Sequence, residues 1–190
     1  MQEAQVKELL IKTGAILEGH FLLTSGLHSP LYVEKFQVLQ WPEHTAALCA
    51  ALAARFNHDN IGVVVGPVTG GIILAHEVGK NLGTRAIFTE RENGKMTLKR
   101  GFVINPGERV LIVEDIVTTG GSVQEVIEVV KECGGELAGV GILVDRSGGN
   151  ASFNAKTEAL LHLTVPTHQP DNCPLCAAGI PVTKRGRTGK

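Results

Sequence analysis

Apolar residues form recurrent short runs along this chain. Residues 61–65, 85–88, 110–113 and 137–144 lack regular polar alternation, which is typical of strands buried on both faces. The first and third runs are followed by glycine-rich turns and by helical patterns at about residues 72–82 and 123–133. Strands joined by such helices pair in parallel through right-handed crossovers. The pattern therefore predicts an α/β domain with a central parallel sheet flanked by helices.

The N-terminal part of the chain has a different pattern. Apolar positions Val6, Leu9 and Leu10 predict an amphipathic helix over residues 3–13 that ends at Gly14. Residues 20–37 alternate around a Ser-Gly turn and predict two short strands. Pro42 is suited to open an alanine-rich helix that runs to about residue 56. We expect one domain, with a small hood at about 15–40, a core at about 41–165 and a loose tail at about 166–190.

Composition limits the classes of function. The chain has 190 residues, a net charge of −1 and no basic or acidic block, which argues against binding to nucleic acid or to a membrane surface through bulk charge. No stretch approaches the roughly 20 apolar residues of a membrane span, and the N-terminus lacks the apolar segment of a signal peptide. We expect a soluble cytoplasmic protein that meets any anionic ligand with local groups.

Residues 114–122 carry the clearest chemical signal. Thr118, Thr119 and Ser122 supply hydroxyls, and two glycines precede a predicted helix N-terminus, so this half forms a neutral cradle for a phosphate. The adjacent Glu114 and Asp115 would repel a phosphate and need hydroxyls or Mg²⁺ as partners. A phosphorylated sugar satisfies both halves. The alternative is an ordinary strand-to-helix turn, whereas Walker and dinucleotide-binding glycine motifs are absent from the sequence.

Residues 89–101 join two predicted strands through a charged segment, where the other connections of this type are helices. Two interpretations stay open: an exposed hairpin around Asn93-Gly94, or a mobile loop.

The segment from residue 110 to 123 resembles the phosphoribosyl pyrophosphate signature of the type I phosphoribosyltransferases. Within that family the chain resembles the members that act on orotate, through the hood sequence 21–33, the loop 66–71, Arg91 and the pair Asp145-Arg146. The resemblance implies the type I phosphoribosyltransferase fold. It also implies transfer of 5-phosphoribosyl from its diphosphate donor to orotate in pyrimidine biosynthesis.

The resemblance assigns roles to individual residues. Glu114 and Asp115 would hold the ribose diol, residues 118–122 the 5′-phosphate, and Thr69 with Gly70 the diphosphate. Arg91 and Lys95 would belong to a catalytic loop that closes over the neighbouring subunit of a homodimer. Mg²⁺ would be held mainly through substrate and water, without direct protein ligands. The expected catalytic residues are Arg91, Lys95 and Asp115, and the expected substrate-binding residues are Glu114, Asp115, Ile116, Val117, Thr118, Thr119, Gly120, Gly121, Ser122, Arg146, Thr69, Gly70 and Lys35.

At three positions the chain lacks a basic residue that the family pattern has. Thr24 and Gly70 stand where lysine is frequent, and Glu92 stands where a second basic residue is expected. Lys35, Lys99 and Arg100 are candidates to compensate. Two rival functions remain: transfer to another base, and a non-catalytic regulator that keeps the phosphosugar loop.

Cys173 and Cys176 form a Cys-x-x-Cys near the C-terminus, a spacing found in zinc sites. His162 and His168 are conceivable further ligands. The alternative is a simple turn in the tail.

Overall fold

A computed structural model describes residues 1–23 and 25–185. Its helices, strands and 3₁₀ turns in chain order are α1 (Glu3–Lys12), β1 (Ile16–Leu22), β2 (His28–Val33), α2 (Phe36–Leu39), α3 (Pro42–Ala53), a 3₁₀ turn (Ala54–Phe56), β3 (Val63–Pro67), α4 (Gly70–Leu82), β4 (Arg85–Glu92), β5 (Lys95–Leu98), β6 (Arg109–Val117), α5 (Gly121–Glu132), β7 (Glu136–Asp145), β8 (Thr157–His162), a second 3₁₀ turn (Pro170–Asn172), α6 (Pro174–Ala177) and β9 (Thr183–Lys184).

The central sheet has six strands in the order β5-β4-β3-β6-β7-β8. All neighbouring pairs are parallel except the β4–β5 hairpin. The prediction of an α/β fold with a parallel sheet is therefore confirmed. From β3 the chain proceeds to β4 on one side and later to β6 on the other, so the strand order reverses between β3 and β6. Open α/β sheets bind ligands beyond the carboxyl ends of the strands at such a reversal.

Apolar side chains on both faces of the sheet explain why its strands carry no alternation. On β6, Leu111 and Val113 belong to a core shared with α3 and α4, whereas Val110 and Ile112 belong to a second core under α5. All four are fully buried. A strand that is covered on both faces has no solvent side for polar residues. The apolar run that predicted β6 therefore reflects two cores and not one.

The hood is a separate three-stranded sheet in the order β2-β1-β9. The first two strands were predicted, and they pair antiparallel. The third strand comes from the segment expected to be a loose tail. Its residues Thr183 and Lys184 pair in parallel with Phe21 and Leu22 of β1, so the described part of that segment is attached to the hood.

Two further boundaries differ from expectation in ways that matter for the site. Strand β6 continues through Glu114 and Asp115 to Val117, so the acids lie on the strand and not in the loop after it. Residues 89–98 form a hairpin in which Glu92 pairs with Lys95, as the first of the two interpretations predicted. None of the helices described here is long and apolar enough to cross a lipid bilayer.

Candidate active site

The expected binding segments meet at the reversal point of the sheet. The turn of Val68 and Thr69 follows β3, and residues 118–120 follow β6, which is the adjacent parallel strand. Arg146 follows β7, and its backbone N–H donates a 2.8 Å hydrogen bond to the Val117 carbonyl. Three separate parts of the sequence are therefore brought to one edge because parallel neighbours end on the same side.

Residues 116–123 and Glu114 line a small cavity of about 60 Å³ at the start of α5. No side chain of the described chain caps this helix, and Gly120 adopts a left-handed conformation with φ of 81° at the N-cap. The first backbone N–H groups of a helix lack intrahelical acceptors. With the exposed Thr118, Thr119 and Ser122 beside them, these donors can receive one compact anion such as a phosphate.

The two acids of β6 are both buried, with 7% of Glu114 and 1% of Asp115 exposed. Burial, reinforced by the neighbouring Asp115 charge, raises the pKa of Glu114 to about 8. The Glu114 carboxylate also accepts a 3.0 Å hydrogen bond from the backbone N–H of Asp115. A buried carboxyl with a raised pKa needs an incoming hydrogen-bond donor or cation to ionise at neutral pH.

Lys35 links the hood to the acidic pair. Its Nζ lies 2.8 Å from Oδ1 and 2.7 Å from Oδ2 of Asp115. Lys35 stands directly before α2, two residues after β2 ends, so the position of the hood strand sets the position of this ammonium group. The predicted site residue Lys35 therefore contacts the predicted site residue Asp115.

Glycines allow the β3–α4 turn to approach this pair. A Cβ built on Gly70 would lie 1.8 Å from Oδ2 of Asp115, and one on Gly66 would lie 2.0 Å from the Gly71 carbonyl oxygen. A lysine at position 70 would collide with Asp115 in this arrangement. The departure from the family pattern at Gly70 therefore fits the local packing, while Thr69 remains exposed at the turn.

Arg146 is a cation with an unused hydrogen-bond donor. Its Nε is buried and has no hydrogen-bond partner within residues 1–23 and 25–185. Burial lowers the pKa of the Arg146 guanidinium, and the nearby Tyr32 hydroxyl of the hood opposes this shift. A buried Nε with an unused donor calls for an anionic ligand or water as its acceptor.

Arg91 and Lys95 lie outside the phosphate cradle. Arg91 donates to both carboxylate oxygens of Glu125 on α5, at 2.6 and 2.8 Å, and to the Gly94 carbonyl at 2.8 Å. Neither Arg91 nor Lys95 lines the cradle of residues 116–123.

Of the three basic residues that could compensate for the missing cations, one lies at the acidic pair and two lie on or beside the hairpin. Lys99 and Arg100 pair with Glu92 and Glu90 of the β4–β5 hairpin, so only Lys35 reaches the acids of β6. Thr24 lies outside the described residues.

Two contributors at the site were not predicted. Glu125 holds Arg91, and the Phe153 ring lies against Gly120, where a Cβ would approach its Cε1 to 2.9 Å. The contact of Glu125 with Arg91 joins positions 34 apart, so no local spacing indicates it. No local pattern marks Phe153, because its contact is made across the fold.

The fold and the site together define an α/β protein with a cradle suited to a phosphorylated ligand at the reversal edge of a parallel sheet. Residues 37–156 match the family model of the phosphoribosyl transferase domain. The chain is 55% identical over 186 residues to the orotate phosphoribosyltransferase of Desulforamulus reducens, which covers 98% of this chain and 97% of that relative. It is 48% identical over 184 residues to the enzyme of the same name from Thermotoga maritima, covering 97% and 98%.

Among solved structures, the orotate phosphoribosyltransferase from Aeropyrum pernix matches with a TM-score of 0.71 and 26% identity, over 83% of this chain and 93% of that one. This chain belongs to the phosphoribosyltransferase family. The two relatives named above are both orotate phosphoribosyltransferases, so the resemblance seen in the sequence is confirmed.

Proposed function

We propose that this protein is an orotate phosphoribosyltransferase of pyrimidine biosynthesis. The reaction breaks the anomeric C–O bond of 5-phosphoribosyl diphosphate and forms a bond from that carbon to a ring nitrogen of orotate. Diphosphate leaves with the bonding electron pair, and the ring nitrogen loses its proton. The products are orotidine 5′-monophosphate and diphosphate. The whole-chain relatives support this choice of reaction.

The observation that carries the choice of base is the unpartnered Nε of Arg146. Its backbone is tied to Val117, directly before the phosphate cradle, so residue 146 stands at the same edge of the sheet as a ligand held in the cradle. Orotate carries a carboxylate that can accept from arginine, whereas uracil and the purine bases do not. This cation favours the acidic base, because a carboxylate accepts a charge-assisted hydrogen bond that is stronger than one to a carbonyl or ring nitrogen of a neutral base.

The remaining groups divide the donor substrate between them. The uncapped N-terminus of α5 and the hydroxyls of residues 118–122 bind the 5′-phosphate. Glu114 and Asp115 accept hydrogen bonds from the ribose diol, and Lys35 keeps Asp115 in place. The turn at Thr69 and Gly70 receives the diphosphate. These groups fix the reacting carbon and stabilise charge that develops on both sides of the breaking bond.

The oxygen donors of the site also suit Mg²⁺, which prefers carboxylates, hydroxyls and water. Lys35 donates to Oδ1 of Asp115 and lies 2.7 Å from Oδ2, so Asp115 already has a cation beside it and Glu114 is the carboxylate that would hold the ion or its waters. Bound Mg²⁺ would neutralise charge on the departing diphosphate. Because one protein carboxylate is a small share of six ligands, we expect most of the ion's ligands to come from substrate and water.

Arg91 and Lys95 would act after the hairpin moves. Arg91 is held by Glu125, one helical turn from the cradle, and exchange of this exposed pair for a diphosphate costs little. We propose that the hairpin serves the active site of a second subunit in a homodimer and that the enzyme works in the cytoplasm.

The test measures initial rates of diphosphate release with Mg²⁺, 5-phosphoribosyl diphosphate and orotate, uracil, adenine or hypoxanthine. We expect turnover with orotate alone. Arg146→Gln should raise the KM for orotate by about tenfold to a hundredfold, equivalent to losing one charge-assisted hydrogen bond. Arg109→Gln, which removes a surface arginine bound to the Asp59 carbonyl, is the control and should leave the KM unchanged.

Equal turnover of uracil or a purine would reject the orotate assignment. Binding of the donor without any turnover would favour the non-catalytic alternative.

A further inference from the structure

The hood contains a cluster of four metal-ligating side chains away from the site described above. His20 on β1, His28 on β2, and Cys173 and Cys176 at the start of α6 place one ligand atom each within 4.8 Å of all the others. The sequence suggested His162 and His168 as partners of the cysteines, and this was wrong. His162 instead lies beside Asp145.

His168 contributes through its backbone. It exchanges two backbone hydrogen bonds with His28, at 2.9 and 2.8 Å, and so positions the chain that leads to the cysteines. The histidines that complete the cluster lie about 150 positions earlier in the sequence, which is why local spacing did not reveal them.

We propose that these four side chains bind one structural Zn²⁺ ion. A tetrahedral zinc with Zn–N near 2.0–2.1 Å and Zn–S near 2.3 Å requires N···N, N···S and S···S separations of about 3.3, 3.6 and 3.8 Å. Nε2 of His20 lies 3.6 Å from Sγ of Cys173 and 3.8 Å from Sγ of Cys176. Nδ1 of His28 lies 3.3 Å from Sγ of Cys176 and 2.8 Å from Nε2 of His20. Among these four separations, the one between the two ring nitrogens is short, and an ion at the centre requires the rings to separate by about half an ångström.

The contact behind His20 prepares its ring for a metal. Nδ1 of His20 lies 2.7 Å from the Ile180 carbonyl oxygen. A carbonyl can only accept, so Nδ1 carries the proton and Nε2 directs its lone pair into the cluster. Histidine ligands in metal sites are held in the same way, by a carbonyl or carboxylate on the second nitrogen. The ligand tautomer of His20 is therefore fixed by the fold.

Burial and charge also favour zinc. His20, His28 and Cys173 are nearly inaccessible, with 3%, 8% and 4% of their surfaces exposed. Two thiolates neutralise one divalent zinc ion, so the complete site is uncharged and can be buried without an unpaired charge. Thiolate and imidazole in a tetrahedral set are the ligands typical of zinc. Four protein ligands leave no open position for substrate, so the site is structural.

The metal would attach a segment that otherwise has few contacts. The 3₁₀ turn of 170–172 and helix α6 contain no buried residue, and Ile180 and Val182 are both largely exposed. Without an apolar core of its own, this part of the chain gains its attachment from the cluster, from the His28–His168 bridge and from the two-residue strand β9. Structural zinc contributes folding free energy directly in such segments.

The first test is metal content. Full-length protein purified without chelators from zinc-supplemented medium should hold one zinc per chain by mass spectrometry of the elements. Replacement by Co²⁺ should give the intense thiolate-to-metal absorption of a tetrahedral thiolate site. Cys176→Ser and His28→Asn should each lose most of the zinc. Cys133→Ser, at a half-buried free thiol outside the cluster, and His162→Asn should retain it.

A second measurement works on the unaltered protein, in case a variant fails to fold. A mercurial thiol reagent should release zinc to a colorimetric chelator in step with modification of two thiols. Hydrogen exchange of residues 170–185 should then accelerate. Absence of zinc and cobalt binding, stoichiometric iron, a Cys173–Cys176 disulfide in protein kept under reductant, or equal zinc loss in Cys133→Ser would each overturn the proposal. None of these readouts depends on transfer of a phosphoribosyl group.

Discussion

Replacing Lys35 by Met would leave the Asp115 carboxylate buried without its counter-charge. The ammonium group lies 2.8 and 2.7 Å from the two carboxylate oxygens, and the side chains are 31% and 2% exposed. Loss of one partner from a fully buried pair costs about 3–5 kcal/mol, whereas an exposed pair contributes about 0–1 kcal/mol. Since Lys35 is partly accessible, water can reach the vacated position. We therefore expect Lys35→Met to lower the free energy of unfolding by about 2–3 kcal/mol.

The assay is a double-mutant cycle in urea at neutral pH, with Lys35→Met, Asp115→Asn and the combined variant. The combined variant should be more stable than Lys35→Met alone, because it removes the unpaired charge along with its partner, and the coupling should be about 2 kcal/mol. Lys99→Met is the matched control. It breaks an exposed pair with Glu92 and should cost less than about 1 kcal/mol.

Two results would refute this reasoning. One is a Lys35→Met cost no larger than that of Lys99→Met, which would mean that water already solvates the carboxylate. The other is a coupling near zero, which would mean that Lys35 and Asp115 stabilise the protein independently.

Three further predictions concern the cradle and the acids. Glu114→Gln should stabilise the protein by about 2–4 kcal/mol at about pH 9 and not at about pH 4. The reason is that the raised pKa of Glu114 makes its ionisation costly in the folded state as pH rises from 4.5 to about 8. Thermal unfolding measures this, and a gain in stability at low pH would contradict it. Gly120→Ala should cost about 2 kcal/mol and weaken phosphate binding, whereas Gly149→Ala, with similar φ and open space, should cost about 1 kcal/mol and leave calorimetric phosphate affinity unchanged. Thr119→Val should raise the KM for the phosphoribosyl donor about tenfold without changing the KM for orotate, and an unchanged donor KM would remove this hydroxyl from the cradle.

The central sheet was readable from the sequence because its signals are local. A strand buried on both faces is apolar throughout, and each turn that leads into a helix contains glycine, so β3, β6 and β7 were found with errors of a few residues at their ends. The cradle of residues 118–122 was found for the same reason. It is one continuous segment whose chemistry is carried by hydroxyls, glycines and a helix N-terminus.

Features made by distant segments were not readable. Strand β8 (residues 157–162) follows β7 without an intervening helix, so the repeating strand-helix pattern does not mark it, and β9 has only two residues. The contact of Lys35 with Asp115 joins positions 80 apart, and the contact of Arg91 with Glu125 joins positions 34 apart. Sequence spacing cannot report such pairs, because the topology of the sheet brings them together.

The strand β2 connects the proposed zinc cluster to the acidic pair, and its length decides how they can influence each other. His28 begins the strand, and Lys35 follows its end by two residues. At about 3.3 Å per residue the chain between them spans about 20 Å, and the proposed zinc site with two thiolates carries no net charge, so it exerts little direct electrostatic effect on the acids. Any influence of the metal on catalysis must therefore pass through the position of the strand. A shift of β2 displaces Lys35 relative to Asp115 and Tyr32 relative to Arg146, so it would alter substrate binding before it altered the chemistry of bond cleavage.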